Sequence, residues 1–151
     1  MKKLHTLVSA ALLSLLVFAS AEASPRQEVV RGPLTGDVLQ VLDGDTFNVN
    51  LHVWIGQNIE TSVRIDGIDA PEMKGKCTKE RNMAESARQE VLKLLSNGQV
   101  KIYDIRLEKY AGRVLAKAET SDGVNIGQYL IKKGLAREYH GEKRQPWCSK
   151  I

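Results

Sequence analysis

The chain is poor in residues that mark several common functional classes. Cysteine occurs twice in 151 residues and histidine three times. Two cysteines without histidines at ligand spacing do not make a zinc site, and His140 has no second Cys–His pair to complete one near Cys148. Aromatics are only 5% of the chain, with Trp54 and Trp147 isolated, so packing or tail anchoring is a better reading of them than a base-stacking platform. No internal repeat, low-complexity segment or block of one charge is visible. The net charge of +4 is compatible with a polyanionic partner, but charges this interspersed are mostly ordinary solvated surface.

A long apolar run is also lacking. The longest, Leu7 to Phe18, falls short of the ~20 residues needed to span a bilayer. It follows Lys2 and Lys3 and precedes Ala19-Ser20-Ala21-Glu22-Ala23, whose small residues at 21 and 23 form an A-x-A pattern. We expect residues 1–23 to be a signal peptide cleaved before Ser24. That implies export to a periplasm or the medium, with no stable membrane insertion afterwards. Residues 24–33, polar and flanked by prolines, read as a flexible lead-in, and residues 34–151 as one domain.

A first strand is expected from Leu34 to Leu42, ended by the turn signal Asp43-Gly44-Asp45. Phe47, Val49, Leu51 and Val53 then alternate with Asn48, Asn50 and His52, the pattern of a half-buried strand. Gly56-Gln57-Asn58 reads as a hairpin turn, and Ile59 to Ile68 as the returning strand. A turn centred on Gln57 pairs Val49 with Ile65 and Leu51 with Val63, apolar opposite apolar. The same register sets Asp45 opposite Asp69, so two carboxylates distant in sequence meet at one end of the hairpin.

Asp69-Ala70-Pro71 stops that strand, since proline cannot continue a central ladder. Met83, Ala87, Val91, Leu94 and Leu95 recur at helical spacing from Glu80 to Leu95, before the stop Asn97-Gly98. Val100 to Leu107 and Val114 to Ala118 are two further strands, and a short helix spans Asn125 to Lys133. The expected fold is therefore mainly β with helices (α+β). It is a five-stranded OB-fold barrel with a helix between strands 3 and 4 and a short C-terminal helix. A generic α+β sandwich has the same pattern.

The residues that can carry chemistry are Asp45, Arg64, Asp69, Glu72 and Arg113. Hard divalent cations take oxygen ligands, so Asp45 and Asp69 could share one. Arginine offers a planar, permanently charged fork for phosphate oxygens, and a third carboxylate could orient or deprotonate water. Each piece also has a plain reading as a turn, a strand stop or a surface ion pair. Strict alternation puts Arg64 on the face opposite Ile65, so the strand near Gly67 must twist or bulge to bring both groups to one site. Cys77 and Cys148, the two cysteines of a chain read as exported, are expected to form a disulfide that pins the tail beside the loop after Glu72 and buries Trp147.

The runs DGDTF at 43–47, VRIDGIDAPE at 63–72 and KYAGRVLA at 109–116, with GLA at 134–136, resemble the staphylococcal nuclease (thermonuclease) family in the same order. The likeness runs from about Leu34 to Tyr139. It implies an OB-fold nuclease using one calcium ion on DNA and RNA and leaving 3′-phosphate products. By this resemblance Asp45, Asp69 and the Ala70 carbonyl would hold the metal, and Glu72 would activate water. Arg64 and Arg113 would bind the scissile phosphate, and Lys109 and Tyr110 would contact substrate. Ala111 departs from the family's Tyr-Gly-Arg order, and the tail at 144–150 with Cys77 resembles a subgroup of exported bacterial members. The expected product is a monomeric enzyme. Its main rival is a catalytically silent OB-fold module that only binds nucleic acid.

Overall fold

The computed structural model describes residues 28–109 and 112–148. The expected signal peptide, the start of the lead-in and Tyr110 lie outside the described residues. In chain order the elements are β1 (Leu34–Val41), β2 (Thr46–Trp54), β3 (Gln57–Ile65), β4 (Ile68–Asp69), α1 (Thr78–Leu94), β5 (Gln99–Leu107), β6 (Arg113–Thr120), α2 (Ile126–Lys132) and β7 (Arg137–Glu138). Five strands close into a barrel in the order β1-β2-β3-β6-β5. Neighbours are antiparallel except β3 and β6, which run parallel. This is the expected α+β barrel, with α1 between its third and fourth strands. Among the described residues no helix is long and apolar enough to cross a membrane.

Alternation in β2 does what the pattern demands. Phe47, Val49 and Leu51 point into the core beside Val63 and Ile65 of β3, Val100 and Ile102 of β5, and Ala116 and Ala118 of β6. The hairpin register differs from expectation. Gly56, at φ 68°, places the turn at Ile55–Gly56, so Gln57 already belongs to β3. Val49 therefore faces Thr61 rather than Ile65, and Leu51 faces Ile59 rather than Val63. The displacement is an even number of residues, so every side chain keeps its face.

A second difference decides where the site lies. The returning strand stops at Ile65, and the chain turns through Asp66–Gly67, with Gly67 at φ 83°. Arg106 of β5 clamps that turn by donating to both carboxylate oxygens of Asp66, at 2.8 and 2.7 Å. Ile68 and Asp69 then pair with Glu138 and Arg137 in a separate two-stranded sheet, β4–β7.

The buried stripe of α1 is Ala84, Ala87 and Val91, continued by Leu95, while Met83 and Leu94 are only half-buried. Small residues are needed there because the Asp43–Asp45 turn lies against the helix. A Cβ on Gly44 would come within 2.6 Å of the Ala87 Cβ and 3.1 Å of the Ala70 Cβ. α2 is capped by Asn125, whose Oδ1 accepts from the Gln128 N–H at 2.9 Å, and it buries Ile126 and Leu130. At the other end of the chain, Val30 of the lead-in exchanges two backbone hydrogen bonds with Ile105.

Candidate active site

Asp45 is the hub of a buried polar cluster at the β2–β3 end of the barrel. It ends the turn packed on α1, only 3% exposed. Its carbonyl accepts from the Ile65 N–H at 2.7 Å, which fixes it to the last residue of β3. Its carboxylate accepts from the Thr46 hydroxyl (2.8 Å), Arg64 Nη1 (3.1 Å) and the Ala70 N–H (3.1 Å). Asp69 is 4% exposed and Arg64 8%. Arg64 Nη2 lies 3.1 Å from Asp45 Oδ2 and 3.8 Å from Asp69 Oδ1.

Asp45 and Asp69 thus converge, but by a route other than strand pairing. Val63, Arg64 and Ile65 are all buried. Val63 and Ile65 fill the barrel core, and Arg64 faces outward, where the Asp43–Asp45 turn and residues 69–70 cover it. The expected change of course near Gly67 is present: Arg64 pairs regularly with Thr46, and the turn at Asp66–Gly67 brings Asp69 to Arg64.

Two polar atoms of the cluster are held by opposite charge rather than by well-aligned hydrogen bonds. Arg64 Nη2 and Asp69 Oδ1 are buried without a hydrogen bond of proper geometry, although both lie within ion-pair distance of opposite charge. Two carboxylates buried this close together favour a cation between them, and a buried guanidinium beside them can pair with an anion. Burial pushes the Asp45 carboxyl up to about 7; Asp43 adds to the rise, while Arg64, Thr46 and Ala70 oppose it. A cation between the two aspartates would reverse this by favouring the charged form. The donor set, all oxygen, suits a hard divalent ion, so Asp45 and Asp69 fit that role.

The other expected residues surround this cluster. Glu72 lies on the loop after β4 with its side chain 49% exposed, and Arg144 Nη1 donates to its Oε1 at 2.7 Å. Arg113 opens β6 next to Ser62 of β3. It is hydrogen-bonded to Glu108, which raises its pKa with smaller contributions from Asp45 and Asp43. Lys109 is exposed near the start of the β5–β6 connection. The expected Cys77–Cys148 disulfide is present, with Cα atoms 6.0 Å apart.

A family model for staphylococcal nuclease homologues matches residues 62–149, more than half of the chain. This chain belongs to that family. The matched span contains Arg64, Asp69, Glu72 and Arg113, while Asp45 reaches the cluster from outside it. Two relatives, from Escherichia coli and Escherichia coli O157:H7, are each described as an uncharacterized endonuclease. Each is 26% identical over 118 residues, covering 78% of this chain and 69% of the relative.

Sequence reasoning placed the C-terminal tail beside the loop after Glu72 with Trp147 buried, but missed the contacts that the tail of this staphylococcal nuclease homologue makes with Asp69 and Glu72. Arg144 Nε lies 2.9 Å from Asp69 Oδ1, so one guanidinium bridges Asp69 and Glu72. Trp147 is buried and donates from Nε1 to Asp69 Oδ2 at 3.3 Å. The Arg137 guanidinium stacks 3.6 Å from the Trp147 ring centroid and donates to the Gln145 and Pro146 carbonyls. No local pattern marks these residues. The expected disulfide placed the tail and Trp147 near the loop of Cys77, but it does not say which side chains of the tail reach the aspartates.

Proposed function

We propose that the chain is an exported, calcium-dependent nuclease that hydrolyses phosphodiester bonds of DNA and RNA, leaving 3′-phosphate products. The observation that carries this reading is the convergence of two buried carboxylates, Asp45 and Asp69, on one buried guanidinium, Arg64, at 3.1 and 3.8 Å. A cation between the carboxylates and a phosphate oxygen on the guanidinium would suit this arrangement. Family membership and the endonuclease descriptions of the relatives support the same chemistry.

In this reading Asp45, Asp69 and the Ala70 carbonyl hold the calcium ion, which would offset the negative charge gathered by aspartates and phosphate. Arg64 and Arg113 hold the scissile phosphate and oppose the charge that grows on its oxygens. Glu72, exposed at the rim, accepts a proton from the water that attacks phosphorus. The P–O5′ bond breaks, the 5′-oxygen leaves as a hydroxyl after taking up a proton, and the phosphate stays on the 3′ side. Lys109 and Tyr110 contact the neighbouring substrate.

The test is incubation of the purified protein with DNA and with RNA, in calcium or in excess chelator. Cleavage of both in calcium and of neither in chelator is expected. Full activity in chelator would remove the metal from the proposal, and binding without cleavage in calcium would favour the silent module. Magnesium, with its stricter octahedral demand, is expected to substitute poorly.

A further inference from the structure

The three arginines of the site are committed to different degrees. Arg64 is buried and ion-paired with Asp45. Arg113 is held by Glu108. Arg144 differs: its side chain is 42% exposed and is shared between Glu72, 49% exposed, and the buried Asp69, 2.9 Å from its Nε. The pair with Glu72, exposed on both sides, is worth about 0–1 kcal/mol, so that arm of the guanidinium exchanges readily for a better partner. A phosphate dianion or diester, which accepts two parallel N–H bonds from a guanidinium, is such a partner.

The surroundings of Arg144 fit that exchange. It lies on the wall of an open cleft of about 760 Å3, beside Asp69 and Glu72. Lys143 and Lys76 line the same cleft, and among the described residues neither makes an ion pair. The segment bearing Arg144 is fixed at its far end by the Cys77–Cys148 disulfide, by buried Trp147 and by the Arg137 bonds to its carbonyls. Three cations are thus held at the mouth of the carboxylate cluster on a tethered strap, residues 143–148, and the facing loop.

We propose that this strap carries a second phosphate subsite, built on Arg144 with Lys143 and Lys76, for the polynucleotide phosphate next to the one being cut. The proposal rests on the nuclease reading for its substrate class. It requires a substrate with more than one phosphate to feel Arg144 more than a substrate with one.

The test compares parent, Arg144→Ala and Arg144→Lys, as full-length protein from the exporting host, on a single-stranded octanucleotide and on a dinucleotide with one phosphodiester. The Arg144→Ala change is expected to lower kcat/KM on the octanucleotide about tenfold more than on the dinucleotide, mostly through KM, with Arg144→Lys recovering part of the loss. Binding of a labelled octanucleotide in chelator supplies a second readout. There the slope of log affinity against log salt should fall by about 0.7 in Arg144→Ala, the signature of one lost phosphate contact on a single strand. Equal losses on both substrates with an unchanged salt slope would make Arg144 a support for Asp69 only, and would overturn the subsite. A parent that cuts neither substrate, yet loses salt slope in Arg144→Ala, would sink the nuclease reading while supporting the subsite.

Discussion

Asp69 is approached by two arginines, 3.8 and 2.9 Å from the same oxygen, and the two approaches have different physics. Arg64 comes from the barrel, is almost fully buried, and shares its charge with Asp45. Arg144 comes from the tail, is close to half exposed, and divides its charge between Asp69 and the exposed Glu72. Removing one partner of a buried pair strands a desolvated charge, whereas removing one partner of an exposed pair costs little. The barrel side of the site is therefore part of the fold. The strap side is an attachment that the fold can survive losing.

The sharpest way to break this comparison is to truncate the buried side. Arg64→Ala should destabilise the protein by roughly 3–5 kcal/mol, since it leaves two buried carboxylates facing each other. Urea unfolding would measure this, and a loss no larger than that of Arg144→Ala would erase the distinction between the two sides.

On the strap side, the main stabilising device is the disulfide. Cys77 and Cys148 are 71 residues apart in sequence, and opening that loop should cost at most about 4 kcal/mol on the chain-entropy account. The Cys77→Ser, Cys148→Ser double variant should remain folded at room temperature with a lowered Tm. Its nuclease activity should fall, because Arg144 and Trp147 are no longer held against Asp69. Alkylation of denatured protein before and after reduction checks the bridge itself, with no added groups expected before and two after.

A smaller effect concerns pH. The Asp45 pKa is raised by burial from 3.8 to about 7, so the folded protein without metal binds more protons than the unfolded chain between those values. Stability in chelator should accordingly be greatest below pH 4 as far as this group is concerned, and should decline as pH rises toward 7. Calcium should counter the decline, because it binds the ionised form, so the calcium-induced rise in Tm should grow from pH 5 to pH 8. A calcium shift that is the same at both pH values would place the ion away from Asp45.

How much of this was legible in the sequence follows from the length of each signal. β2 is nine residues long, and its alternation identified the core face, which survived an error in the turn because the register moved by an even number. The convergence of Asp45 and Asp69 was also readable, though for the wrong reason. Gly67 breaks the strand, and β4–β7, with two residues on each side, is too short to leave a pattern. Gly44 looked like a turn residue, but it is also a contact surface for Ala87, which only the packing of α1 reveals. The strap was invisible to any periodicity, since its place is set by one disulfide and by contacts reaching 75 residues back from Arg144 to Asp69.

The central claim is that Glu72 and the arginines act on a phosphodiester while Asp45 and Asp69 hold the metal. The most direct measurement is turnover of Glu72→Gln on DNA beside a calorimetric calcium titration of the same protein, with Arg113→Ala as companion. The account predicts that Glu72→Gln binds calcium much as the parent does but turns over far more slowly, and that Arg113→Ala loses roughly 3 kcal/mol or more of transition-state stabilisation. Parental turnover in both variants would contradict it.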